Sequence, residues 1–438
     1  MERKYIVAIG LAIVGGIIAG KVYRSSTGPL VTTTAPAGKI TWDLPTAIDE
    51  AAGYLTRVND ENGRFIYRMG GDGKHIAPKK YNIVRHAGAI YAMADYQVQG
   101  ASADGRAKAA AATERAANEL ITHYVRPLKS DATLLGVWSD PKEEGGGPKL
   151  AAKLGGAGLS IIGLMGRYRA VDGGAPGSPK ELETAQGLAR FVQFMQKPNG
   201  DYVSKYTDED GKVSDFESLY YPGEATLGLT MLYEADHDEK WLATAMKGVG
   251  QLVVSRRTVA KAKLPADHWL MIAIDRLAPF YDKVKEPPVT KDEMIDHAIT
   301  LGMIMIEGQT KVSQQRPEID GCFTRDGRTT PSATRLEGLL ALEHALMGDE
   351  KRAETRKEIR AAIVKGISFL RRSQITTGPA RGGIPAALVP PSEDGGAEET
   401  ELEGDEKSSE IRIDFVQHAM SAMMRYTVMC KVDATGCP

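Results

Sequence analysis

Three of the eight histidines in this 438-residue chain, His86, His268 and His418, fall at comparable places. Each stands close to the start of an apolar, helix-like segment. Other polar and aromatic groups gather at the same places. They are Tyr81, Asn82 and Arg85 beside His86, and Asp267 and Trp269 beside His268. Asp414 and Gln417 stand beside His418. Two further segment starts carry Tyr220, Tyr221 and Glu224, and Arg335 and Glu337. Such a set suits a ligand rich in hydroxyls, which call for Asn, Gln, His, Arg and carboxylate partners. Tyr81, Tyr220, Tyr221 and Trp269 offer rings on which an apolar sugar face could stack.

Two chemistries fit. Paired carboxyls flanking a glycosidic bond act as acid and base, with Glu224 as nominal acid and Asp267 or Glu337 as base. Proton abstraction from a sugar carbon would instead use His86, His268 and His418 near Arg85 and Arg335. Each residue also has a plainer use. Asp267 and Glu224 could simply cap helix starts. Arg335 and Glu337 could form a buried ion pair, and His418 could be a satisfied core histidine. A third reading is a non-catalytic scaffold that holds a glycan or peptide.

These groups must be positioned by repeated elements. From Leu44 onward a charged helical segment, a turn and an apolar helical segment recur six times. The charged segments start near 44, 107, 179, 239, 292 and 353, roughly 62 residues apart, well above common short-repeat periods. In alternate units the turn reads Asn62-Gly63-Arg64-Phe65, Asn199-Gly200-Asp201-Tyr202 and Asp320-Gly321-Cys322-Phe323. Asn-Gly and Asp-Gly supply positive φ for a tight turn, and the aromatic can plug the core beneath. The apolar segments are rich in Ala, Gly, Leu and Met with few charges, so they are expected to be buried all round.

Six hairpins with buried second helices and charged first helices resemble the (α/α)6 toroid of the six-hairpin glycosidase-like superfamily, over residues 44 to 428. The resemblance implies an all-α domain with two concentric rings and a funnel lined by the inner-helix starts. It also implies an enzyme of the glycoside hydrolase, polysaccharide lyase or sugar epimerase kind acting on a carbohydrate, and the inner-helix dipoles with Arg85 and Arg335 would suit an acidic sugar. The eight side chains His86, Glu224, Asp267, His268, Arg335, Glu337, Gln417 and His418 are expected to share one pocket. Gly155, Gly156 and Gly158 are expected to leave open space in the second hairpin.

Arg3 and Lys4 precede an apolar run from Tyr5 to Gly20, and Lys21 and Arg24 follow it. That is the export pattern. Residues 1–24 read as a signal anchor or signal peptide, 25–43 as a Thr/Pro/Gly-rich flexible linker, and 44–438 as the toroid domain. The expected location is the cell envelope or periplasm, membrane-anchored through the N-terminus, or secreted if the segment is cleaved. Cys430 and Cys437 are close enough in sequence to pair, or to remain two free thiols.

The chain has 55 Lys and Arg against 57 Asp and Glu, so no basic excess supports a nucleic-acid partner. Gly156-Ala157-Gly158 lacks the third glycine of a dinucleotide loop, and no phosphate-loop, zincin or nucleophile-elbow motif is present. No cofactor or metal is expected. Tyr206 to Glu217 matches a calcium loop except for its first residue, but reads as a polar hairpin turn. The acidic run from Glu393 to Glu410 reads as a solvated insertion before the last apolar segment.

Overall fold

The computed structural model describes residues 43–76, 81–144, 149–170, 178–213, 216–388 and 408–438. The N-terminal run, the linker and most of the acidic run lie outside the described residues.

Six helices form an outer set: α1 (Leu44–Arg57), α3 (Ala103–Glu119), α6 (Pro179–Met195), α8 (Glu239–Arg256), α10 (Lys291–Gln315) and α12 (Ala353–Ser373). Each precedes an inner partner: α2 (Ile83–Gln99), α5 (Leu154–Ala170), α7 (Tyr221–Asp236), α9 (His268–Leu277), α11 (Thr329–Ala345) and α13 (Ile413–Val432). A single turn, α4 (Pro141–Glu144), completes the α-helices among the described residues. Each inner helix packs on the next, and α13 closes the ring against α2. This is an (α/α)6 toroid.

Composition explains which helix goes where. Every residue of α5 from Leu154 to Gly166 is buried, and so is every residue of α7 from Pro222 to Tyr233. In α12 only one stripe is buried, including Ile359, Ile363, Ile367 and Leu370, as a helix with one wet face requires.

The turn glycines work as read. Gly63, Gly200 and Gly321 have φ of +93°, +96° and +86°. A Cβ on them would come within 2.2, 2.5 and 2.1 Å of the carbonyls of Arg115, Lys247 and Lys365. Each turn is thus pressed on the next outer helix, with Phe65, Tyr202 and Phe323 buried beneath. Gly382 makes the same dock on Glu50 of α1, without the Asn or Asp that marks the other three.

The glycines of the second hairpin do not leave open space. A Cβ on Gly158 would sit 2.7 Å from the Ala225 nitrogen, and one on Gly155 would strike the Tyr221 ring and Glu224 Oε2. They let α5 and α7 approach closely, and Tyr221 and Glu224 fill the gap.

One feature departs from an all-α reading. Strands β2 (Val125–Pro127), β3 (Leu135–Ser139), β4 (Ala151–Lys153), β5 (Lys205–Thr207) and β6 (Gly211–Val213) form a five-stranded antiparallel sheet in sequence order. A two-residue pair joins β1 (Arg68–Met69) to β7 (Ile411–Arg412). These strands are too short for alternation to show, and two of the pairings, β4 with β5 and β1 with β7, join different hairpins. In the β5–β6 turn, Lys149 Nζ lies 2.8 and 2.6 Å from the two carboxylate oxygens of Asp210. Asp208 Oδ1 accepts from the Lys129 amide. The calcium-like motif is therefore a lysine-bound hairpin tip.

Cys430 and Cys437 form a disulfide, and Cys322 is buried and reduced. No helix among the described residues is long and apolar enough to cross a membrane.

Candidate functional site

Three of the inner helices build a compact cluster from residues in their N-terminal halves. His268 opens α9, Glu337 lies in the third turn of α11, and His418 lies in the second turn of α13. One ring nitrogen from each histidine and one Glu337 oxygen all lie within 4.8 Å of one another. His418 Nδ1 donates to Glu337 Oε2 at 2.6 Å, since a carboxylate can only accept. The Gln417 amide stands 3.2 Å from the same nitrogen.

His268 differs from its partner. It is buried, yet neither ring nitrogen has a hydrogen-bond partner. Burial first, and then the positive charges of His418, Arg335 and Arg425, hold its pKa well below the usual imidazole range. It is a neutral base with a free lone pair. Its ring faces those of Trp269 at 4.9 Å, Tyr220 at 5.3 Å and His418 at 5.7 Å between centroids. Trp269 is buried as the wall of this cluster, whereas the Tyr220 ring is 39% exposed at its mouth.

Behind Glu337 stands a group that sequence reasoning missed. Arg425 lies seven residues beyond His418 on α13, and therefore on the same helix face. It donates to Tyr91 Oη at 2.7 Å, and its charge, with those of Asp95 and Glu337, sets the local field. A lone arginine inside an apolar helix was the available signal.

The carboxylates divide. Glu224 is buried and its Oε2 has no partner; burial, then the neighbouring Asp267, pushes its pKa well above the carboxylate range. Asp267 is fully buried but committed. It caps α9 through the Leu270 amide at 3.1 Å and pairs with Arg256 Nη2 at 2.8 Å. Arg256 belongs to the outer helix α8, so Asp267, expected as a base, is engaged as the cap of α9 and as the partner of an outer-helix arginine. Asp414 is bound by Arg412 at 2.6 and 3.0 Å and lies 3.3 Å from Arg85 Nε. Burial would raise its pKa, but these two cations outweigh it and hold the value at about 2.

The first hairpin contributes structure instead of a site. His86 is buried, with Nδ1 2.7 Å from Tyr81 Oη and Nε2 2.9 Å from the Ala116 carbonyl. Burial lowers its pKa to about 4. Both nitrogens of His86, expected as a catalytic group, are engaged: Nε2 by the outer helix α3, and Nδ1 by Tyr81 in the loop before α2. Asn82 caps α2 through the Val84 and Arg85 amides. Tyr221 is packed against Gly155 and Glu224. Arg335 makes no ion pair with Glu337; its guanidinium donates to the Pro331 carbonyl at 2.9 Å. It begins in the second turn of α11, because that helix starts at Thr329, before the position expected from the sequence.

Of the eight residues expected in one pocket, His268, Glu337, Gln417 and His418 meet, with Arg335 beside them. Glu224 and Asp267 neighbour one another, and His86 is apart. Two open clefts, of about 390 and 320 Å³, lie beside the five-stranded sheet and include none of these residues.

His268, Glu337 and His418 are also a donor set that a divalent cation could use. Their spread is wider than the about 3.3 Å between donors on tetrahedral zinc, and the positive field of Arg335 and Arg425 at His268 opposes a cation.

The sequence matches no family model, and no curated protein matches it. Similar solved structures include cellobiose 2-epimerase from Bacillus thermoamylovorans, at a TM-score of 0.58 and 11% identity, covering 87% of this chain and 99% of that one. D-mannose isomerase matches at 0.56 and 12%, covering 90% and 99%. The GH76 alpha-mannanase of Bacteroides thetaiotaomicron matches at 0.53 and 14%, covering 89% and 97%. At such identities the likeness establishes the fold. The chain has the (α/α)6 toroid fold of the six-hairpin glycosidase-like enzymes.

Proposed function

We propose that this chain is a carbohydrate-active enzyme that moves a proton at a sugar carbon, as an epimerase or isomerase does. The observation that carries this reading is the asymmetry of the two histidines. His268 is a buried neutral base with both nitrogens unpartnered. His418 is oriented by the Glu337 carboxylate, which leaves Nε2 to exchange a proton with substrate. The base removes the proton next to a sugar carbonyl, and the oriented imidazole serves the carbonyl oxygen or the opposite face. Such chemistry needs no second free carboxylate. The epimerases and the isomerase among the similar structures support the reading by analogy.

Glycoside hydrolysis is the second reading, favoured by Glu224, a buried carboxyl pushed toward its protonated form. Its partner is the difficulty. Asp267 is bound to Arg256 and Glu337 to His418, so neither is free to activate water.

The test is a panel of reducing sugars incubated with the protein in D2O. Deuterium entering the carbon beside the carbonyl is the expected outcome. Release of shorter sugars from oligosaccharides without deuterium entry would overturn the proposal in favour of hydrolysis.

We also propose export to the cell envelope, supported by the basic-apolar N-terminus and by the Cys430–Cys437 disulfide, which persists in oxidising compartments. Fractionation of the native host tests it, and recovery in the cytoplasm with both thiols reduced would overturn it.

A further inference from the structure

Among the described residues, the cations and carboxylates around the cluster are mostly paired, and one guanidinium, that of Arg335, is not. Arg256 pairs with Asp267, and Glu337 is hydrogen-bonded by His418. Arg328 pairs with Asp326 at 2.8 Å. Asp414 faces two guanidiniums, Arg412 and Arg85. Arg335 has no carboxylate partner among the described residues, and its guanidinium donates to a carbonyl of its own helix, that of Pro331. Glu224 does not offset it, because burial drives that carboxyl toward neutrality.

Arg335 is half-buried beside the exposed Tyr220 ring, and its charge is felt at both Tyr220 and His268. The Arg328–Asp326 pair acts on Arg335 with charges of both signs, and the cluster beside it holds His268, a buried ring with both nitrogens unpartnered. An under-compensated guanidinium next to an unpartnered base is the arrangement expected where a ligand brings the missing anion.

We propose that the substrate is an anionic sugar whose carboxylate or phosphate is held by Arg335, with the sugar ring against Tyr220 and the reacting carbon toward His268. Arg335 is then the residue that sets specificity. A guanidinium holds either anion through two parallel N–H bonds, which a lysine cannot reproduce. The proposal rests on the reading of the cluster as a sugar site and narrows its substrate class.

Titration calorimetry on the whole protein separates the possibilities. The ligands are glucose, glucuronate and glucose 6-phosphate, at low and high salt, with wild type, Arg335→Gln and Arg335→Lys. A charge-assisted contact is worth about 1.5–3 kcal/mol, so one or both anionic sugars should bind wild type about tenfold or more tighter than glucose. The preference should vanish in Arg335→Gln, persist weakly in Arg335→Lys and shrink with salt in wild type. The phosphate and uronate arms show which anion the site takes. Glucose binding as tightly as both anions would overturn the proposal, as would an undiminished preference in Arg335→Gln. Absence of binding by all three sugars would overturn it too. The wild-type salt series stands if a variant misfolds. Binding is read without turnover: anion preference without deuterium exchange would overturn the epimerase reading alone, and exchange confined to neutral sugars would overturn this proposal alone.

Discussion

The two ends of the inner ring are built from the same six helices and treat their polar groups in opposite ways. At the C-terminal end, Arg276 Nε donates to Glu234 at 2.7 Å and Arg169 Nη1 reaches the same carboxylate at 3.1 Å. His344 Nδ1 meets Asp275 at 2.7 Å. These contacts tie α5, α7, α9 and α11 together in sequence around the ring. At the N-terminal end both nitrogens of His268 and one oxygen of Glu224 are buried without a partner. An orphaned buried polar atom is destabilising, so a fold keeps one where it serves something else. One end holds the barrel together and the other is left chemically available.

The division is finer than end against end. His86, Asp267 and Asp414 stand at the available end yet are fully partnered, and the largest expected effect comes from one of them. Burial keeps His86 neutral, with a pKa of about 4 against 6.5 when unfolded. A depressed histidine pKa means that the unfolded chain binds the proton more readily. The contribution of His86 is therefore complete above about pH 6.5 and is lost as pH falls toward 4, by about 3 kcal/mol. Denaturant unfolding at pH 7 and pH 4 should show a shallower acid loss in His86→Gln. An equal loss in both proteins would place His86 outside the core role assigned here.

A smaller effect is expected at the closed end. Glu234→Ala strands Arg169 and Arg276, but solvent reaches this cluster, so a loss of about 2 kcal/mol is expected instead of the full penalty of a buried pair. Exchange activity per folded molecule should be unchanged. A variant that kept its stability and lost activity would reverse the assignment of the two ends.

The smallest effect sharpens the comparison. Glu224 has a raised pKa, so wild type loses stability as pH rises from the ordinary carboxylate range toward its folded value. Glu224→Gln mimics the protonated form. It should match wild type within about 0.5 kcal/mol near the acidic side and exceed it at alkaline pH. A variant less stable than wild type at high pH would mean that Glu224 is an ionised, partnered carboxylate.

The ring of hairpins was legible because helix burial is written in local composition. Outer helices expected near 239 and 353 start at Glu239 and Ala353. The sheet was not legible, since β4 pairs with β5 across about fifty residues and each has three residues. Side-chain direction at the site was not legible either. Asp267 and His268 are adjacent in sequence, but one turns to an outer-helix arginine and the other to the barrel axis. His86 and His418 hold matching places in their hairpins and have opposite fates, because Tyr81 and Ala116 happen to satisfy the first. Such pairings are tertiary, and a repeat pattern fixes where a residue stands without fixing what meets it.

The central claim, that the unpartnered His268 is kept for chemistry, is tested most directly by His268→Leu. Leucine fills a similar volume and removes two orphaned nitrogens. The account predicts that deuterium exchange into the sugar falls by about 10²–10⁴-fold while the thermal midpoint stays level or rises. Retained exchange, or a thermal midpoint that falls along with it, would contradict the account and make His268 a structural residue.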